Sequence, residues 1–372
     1  MAHQITKDNA YDAVDPRDFP AMMEVARYGH RSTAFDKIIS ATHDHFWDPL
    51  DKRYIDFDRP FDLTKETILP EDMFPIFKTR IGDAMTPEQK LKFSSEASRW
   101  QISAILHGEQ GALALSASLC HILKDPGAQE YAANQTREEA RHVTAFSAYI
   151  KARWGAPTPV GPALGDLLTE MVGSPLVWKK LVGMQMLVEG LAMGAFATFY
   201  THGRDPVLKR LCQLTMTDEA FHHKFGKIWA DRTIPELSQE ERDRIEDWAA
   251  QVFMGLLRNI GAPEQKKWLY AQLGIDWLWA QGAMMEAFTD ARLRERLKES
   301  TSIFRVLIKT LLKAGIISDR TRGIYAAYVD MGELHAESDR MVGDDIAEEG
   351  IRYLMSLNGG KSLMTPSALA VE

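Results

Sequence analysis

Two Glu-x-x-His motifs, Glu139-Ala-Arg-His142 and Glu219-Ala-Phe-His222, stand 80 positions apart, and each follows a lone glutamate, Glu109 or Glu189, by 30. One such motif arises by chance about once in a chain of this size. Two in matched surroundings, Glu138-Glu-Ala-Arg-His and Asp218-Glu-Ala-Phe-His, constrain the fold far more tightly. Residues three apart on a helix share a face, so each motif offers a carboxylate and an imidazole to the same side. Four carboxylates and two histidines on four helices form the ligand set of a dinuclear metal site inside a four-helix bundle. The chain is therefore expected to be all-α.

Capping residues followed by proline divide this region into helices, because proline's missing N–H costs nothing at a helix start. The openings are Thr86-Pro87, with Gln89 completing a capping box, Asp125-Pro126, Ser174-Pro175 and Asp205-Pro206. They predict helices over about 87–124, 126–154, 175–202 and 206–232. Tight turns make two antiparallel hairpins. At a rise of about 1.5 Å per residue each ligand glutamate stands roughly 20 Å from its turn, which brings all four level. The Pro-rich linker from Gly155 to Gly173 is too long for a tight turn and reads as a crossover between hairpins. The expected organisation is an N-terminal helical extension (1–85), the bundle (86–235), a C-terminal helical region packed on it (236–358) and a loose tail (359–372).

Four carboxylates balance two divalent cations, and oxygen ligands with one imidazole per metal suit iron or manganese better than zinc. Glu138 and Asp218, each beside a ligand glutamate, read as acceptors for the N–H of a ligand histidine on a neighbouring helix. Arg141 lies next to them. Removing either carboxylate should leave the fold intact and weaken metal binding. Phe146, Met193 and Phe196 lie four to seven residues beyond a ligand on the same helix face, which makes them candidates for an apolar substrate pocket.

The constellation resembles the ferritin-like di-iron carboxylate proteins over roughly residues 87–232. That resemblance implies one iron held mainly by Glu109, Glu139 and His142 and the other by Glu189, Glu219 and His222, with Glu139 and Glu219 as bridges. The string Glu138 to His142 looks like the oxygenase branch that activates O2: benzoyl-coenzyme A epoxidases, aromatic monooxygenases and arylamine N-oxygenases. The last of these carry an additional ligand histidine upstream of the final Glu-x-x-His, where this chain has Thr215 and Met216, so they rank as a weaker match. Ribonucleotide reductase small subunits keep a radical tyrosine where this chain has Phe146. The implied activity is oxidation of a small organic substrate, aromatic or acyl-thioester, by O2. Alternatives are an iron-storage protein and a radical-generating subunit.

No flavin, Rossmann or iron–sulfur motif is present, so electrons are expected from a ferredoxin or reductase partner. A net charge of −8 without a Lys/Arg-rich run argues against nucleic acid. Val182 to Tyr200 is nearly as apolar as a membrane span, but the centre of a large bundle requires the same composition, and no membrane role is expected. The cytoplasm is the default location and a homodimer a further option. Cys120 and Cys212 read as small core residues. Three features are set aside: His43-Asp44-His45, because residues two apart on a helix diverge; His223, which faces away from His222; and Trp100, Trp229 and Trp248, as core.

Overall fold

Each expected bundle helix forms, and capping accounts for where three of them begin. A computed structural model describes residues 11–43, 45–259, 262–287, 303–338 and 340–359. The bundle helices are Pro87–Ile122, Pro126–Trp154, Val177–His202 and Pro206–Thr233. Thr86 accepts the Gln89 N–H at 3.2 Å while the Gln89 side chain accepts the Thr86 N–H at 3.0 Å. Asp125 and Asp205 cap the second and fourth helices by accepting the N–H groups of Gly127 and Val207.

Two expectations change. The crossover contains a helix of its own, Pro162–Gly173, opened by Gly161-Pro162 after Gly155 ends the second helix at φ 83°. Ser174 therefore closes that helix, and its Oγ accepts the Leu176 N–H at 3.1 Å in the turn that leads into the third. The N-terminal region is the second change. Pro16, Pro20, Pro49, Pro60, Pro70 and Pro75 break it into helical turns of three to six residues, such as Asp36–Ala41, rather than a helical layer. Residues 360–372 of the expected tail lie outside the described residues.

The third helix is long and apolar enough to cross a membrane, yet most of it is buried in the bundle. Its stretch Leu181–Val188 is π-helical and runs directly into Glu189. Such wide turns insert a residue and re-aim the side chains around them, which is why they recur at functional sites. Gly226 on the fourth helix accommodates this stretch, since a Cβ there would approach the Gln185 Cβ to 2.7 Å. C-terminal helices cover the outside: Ile303–Lys313 packs on the third helix and Asp344–Leu357 on the fourth.

Two apolar clusters fill the interior. One gathers Leu115, Leu119, Tyr131, Leu187 and Phe225, the other Leu106, Phe146, Met193, Phe196 and Leu211. Along every bundle helix the sequence passes from one cluster to the other through a ligand-type residue: Glu109, Glu139 with His142, Glu189, and Glu219 with His222. The polar layer is thus dry on both sides. Buried charges in such a layer need partners of opposite sign or metal ions.

Candidate metal centre

Antiparallel packing brings the six residues together, all of them buried. They form two overlapping groups in which ligand atoms lie within 4.8 Å of one another: Glu109, Glu139, His142 and Glu219, and Glu139, Glu189, Glu219 and His222. Glu139 and Glu219 belong to both. His142 Nδ1 stands 3.2 Å from Glu109 Oε2, 3.4 Å from Glu139 Oε2 and 3.2 Å from Glu219 Oε1. His222 Nδ1 stands 3.2 Å from Glu139 Oε1, 3.1 Å from Glu219 Oε2 and 4.0 Å from Glu189 Oε1. Both imidazoles aim the same nitrogen inward. Among the described residues, Glu139 Oε2 and Glu219 Oε1 are buried without a hydrogen-bond partner. Orphaned carboxylate oxygens inside a ring of oxygen and imidazole donors fit a pair of hard divalent cations.

The outward nitrogens are held across helices. His142 Nε2 lies 2.8 Å from Asp218 Oδ2 on the fourth helix, and His222 Nε2 lies 2.9 Å from Glu138 Oε2 on the second. Such an acceptor selects the tautomer that leaves Nδ1 free for a metal. Arg141 donates to the same Asp218 oxygen at 2.6 Å.

Four further residues meet this centre without having been singled out by motif. Gln135 and Gln185 lie one turn before Glu139 and Glu189. Gln185 donates to Gln135 at 3.0 Å, and Gln135 donates to Glu139 at 3.1 Å and Glu189 at 3.4 Å. That four-residue spacing was the available signal. Trp47 and His45 come from the N-terminal region; Trp47 carried no signal, and His45 only the His43-Asp44-His45 tripeptide that was set aside. The Trp47 indole N–H donates to Asp218 Oδ2 at 3.0 Å, its carbonyl accepts from Arg141 at 3.1 Å, and its ring stacks on His142 with centroids 6.1 Å apart. His45 Nε2 lies 3.2 Å from Asp218 Oδ1 and 3.8 Å from Glu138 Oε1. Setting His45 aside is therefore corrected: the chain around it is a turn, not a helix, so its neighbour spacing says nothing about where the ring points. His43 is exposed, and Asp44 lies outside the described residues.

Electrostatics divides the six groups. Burial lifts the Glu109 and Glu189 carboxyls well above their ordinary range, and the neighbouring Glu219 charge adds to the effect at Glu189. At Glu139 burial acts in the same sense, but His222 and His142 overcome it and keep the group ionised well below that range. Burial is likewise outweighed at Glu219, chiefly by His222, which brings it to about 2. Burial disfavours charge on His142 and His222 too, yet Glu109 with Asp218, and Glu219 with Glu139, outweigh it and raise both rings well above the ordinary histidine range.

Carboxyls and imidazoles shifted upward in this way hold protons that entering divalent ions must displace. Protons bound before metal entry and released by it make affinity rise with pH and fall as pH drops. Anaerobic calorimetric titration with Co(II), repeated in buffers of different ionisation enthalpy, should register this release. An affinity indifferent to pH between 6 and 8 would contradict it.

The sequence model of P-aminobenzoate N-oxygenase AurF matches residues 29–311, a span that contains every residue of this centre. The chain belongs to the p-aminobenzoate N-oxygenase AurF family. It is accordingly a di-iron, O2-dependent oxidoreductase of the monooxygenase type that acts on a small organic substrate. The iron-storage and radical-subunit alternatives give way to this. Comparison with curated proteins and with solved structures found no match. Membership in the AurF family also reverses the ranking that Thr215 and Met216 suggested. Thr215 lies one turn before Glu219, fully buried, and its hydroxyl has no hydrogen-bond partner among the described residues.

Proposed function

We propose that this chain N-oxygenates an aromatic amine of the p-aminobenzoate type, with its irons held by Glu109, Glu139, His142, Glu189, Glu219 and His222. One observation carries the reading: the AurF family match spans both four-residue groups. The chemistry supplied by the bound iron pair is reductive activation of O2, for which electrons come from an external donor of ferredoxin or reductase type. The chain's own residues position and shield. Glu139 and Glu219 reach both groups and suit bridging; Glu138 and Asp218 fix the ring planes of His222 and His142.

Phe146, Met193 and Phe196 are fully buried above the ligand layer, and the rings of Phe146 and Phe196 stack at 5.7 Å with 17° between planes. A flat apolar wall suits an arene and keeps water from the reacting oxygen. Gly343 closes this side. A Cβ there would lie 2.2 Å from the Met216 Cε and 3.1 Å from the Met193 Cε.

The direct test loads the protein anaerobically with Fe(II), then adds O2, a chemical reductant and either p-aminobenzoate, benzoate or a benzoyl thioester. Hydroxylamine, nitroso or nitro products from the amine alone support the proposal. Ring hydroxylation or epoxidation of the other compounds would move the chain to a different chemistry within the oxygenases. For the wall, Phe146→Ala and Met193→Ala are expected to keep iron near the wild-type level while changing the product ratio or separating O2 uptake from product. A purely structural role predicts instead a loss of about 2–5 kcal/mol of stability with selectivity unchanged. Melting temperature, iron content and product ratio measured on the same variants distinguish these results.

A further inference from the structure

His45 occupies a place that neither the ligand pattern nor the family match explains. It is 1% exposed, and its ring lies flat on Phe221, with centroids 4.9 Å apart and 4° between planes. Its Nε2 points between two carboxylates, 3.2 Å from Asp218 Oδ1 and 3.8 Å from Glu138 Oε1. The other oxygen of each carboxylate is already committed: Asp218 Oδ2 to His142 and Glu138 Oε2 to His222. One imidazole nitrogen therefore faces both carboxylates that orient the two inward-facing histidines, and those histidines belong to different four-residue groups. Two buried carboxylate oxygens this close repel each other unless a donor stands between them. His45 Nε2 and Asp218 Oδ1 are both buried without a hydrogen-bond partner among the described residues, and they face each other at 3.2 Å.

We propose that His45 is a positioning residue that couples the two metal positions, its Nε2–H tying Asp218 to Glu138 so that ordering of one ligand histidine favours ordering of the other. The proposal rests on the six residues being the iron ligands. When an ion settles on His142, the ring and Asp218 take up a fixed geometry. His45 follows Asp218, and Glu138, whose Oε1 lies 3.8 Å from His45 Nε2, is then drawn toward the N–H of His222. The N-terminal region thus does more than cover the bundle: it links the two halves of the centre from outside the ligand set. An allied consequence is that the coupling passes through residues touching neither metal nor substrate.

The test is an anaerobic Co(II) titration of the full-length protein, followed by calorimetry and by the visible absorption of the bound ion, with melting temperature recorded on the same samples. Wild type should take two ions along a steep isotherm. His45→Phe, which keeps the ring on Phe221 but has no donor, should still take two, with affinity lowered about 10-fold or more and steepness lost. His45→Gln returns an N–H donor and should recover part of both, and it serves equally if the phenylalanine variant does not fold. In a double-mutant cycle His45→Phe should cost little once Glu138→Gln is present. Wild-type affinity and steepness in His45→Phe, with only the melting temperature lowered, would overturn the proposal in favour of a packing histidine. A third ion in wild type that disappears in His45→Phe would overturn it in favour of a metal site made by His45, Glu138 and Asp218. No Co(II) uptake by wild type would instead remove the six-ligand reading on which it stands.

Discussion

Glu219→Ala is expected to empty the centre, lowering iron from about two atoms per chain to near zero after anaerobic Fe(II) loading. The reason is its place in both four-residue groups, where it also stabilises both imidazoles: Oε1 lies 3.2 Å from His142 and Oε2 3.1 Å from His222. Open sites lose affinity steeply when one ligand goes, because the remaining ligands must bind without a preformed geometry. Glu139→Ala should behave alike. Glu109→Ala and Glu189→Ala remove a residue from one group each and are expected to leave about one ion. His142→Ala should fall between these extremes. Elemental analysis of the loaded, desalted proteins decides the matter. Wild-type protein that retains no iron would falsify the site outright, and equal losses in all four glutamate variants would contradict the division into bridging and terminal ligands.

Asp218→Ala is expected to produce the largest loss of stability among residues that touch no metal. A single oxygen, Oδ2, accepts from the Trp47 indole at 3.0 Å, from Arg141 at 2.6 Å and from His142 at 2.8 Å. Burial opposes its charge, but Arg141, His142 and His45 hold the carboxyl ionised, well below its usual range. Truncation leaves the Arg141 guanidinium, only 9% exposed, without its partner. Breaking a buried pair in this way costs about 3–5 kcal/mol. Metal affinity should fall by roughly 10–100-fold as well, since His142 loses its orienting acceptor. Glu138→Ala should show the affinity loss with a smaller stability cost of about 1–3 kcal/mol, because His222 keeps Glu139 and Glu219 beside its other nitrogen. The expectation that both variants fold normally is thereby revised: Trp47 and Arg141 meet at Asp218, and among the described residues no such pair meets at Glu138. Thermal melts and Co(II) titrations of Asp218→Ala, Asp218→Asn and Glu138→Ala test the ranking. Identical melting temperatures for the two alanine variants would sink it.

Much of the centre was legible because its components repeat locally. Three-residue spacing within a helix is enough to place Glu139 with His142 and Glu219 with His222, and equal distances from tight turns are enough to bring Glu109 and Glu189 level with them. The caps at Thr86, Asp125 and Asp205 are read from neighbours in sequence, so they were found at the right residues. Ser174 misled for the same reason. Its side chain does cap a turn, but a helix already running through Pro162–Gly173 ends there, and proline at position 175 fits that ending as well as a beginning. The π-helical stretch beside Glu189 left no local mark, since an apolar run is compatible with either helical pitch.

The amino-acid pattern by itself determined the all-α class, the four bundle helices and the six residues that converge, because each follows from helical periodicity and chain reversal over a few dozen residues. Tertiary structure alone decided what stands behind those residues. His45 and Trp47 reach Asp218 from more than 170 positions away, across a segment with no regular periodicity from which a side-chain direction could be inferred. Gln185, on the π-helical stretch that lies close against Gly226 of the fourth helix, meets Gln135 across the bundle on the second. Short-range spacing carries information about ligands that share a helix. Contacts between distant segments depend on how the whole chain packs, and no interval in the sequence encodes them.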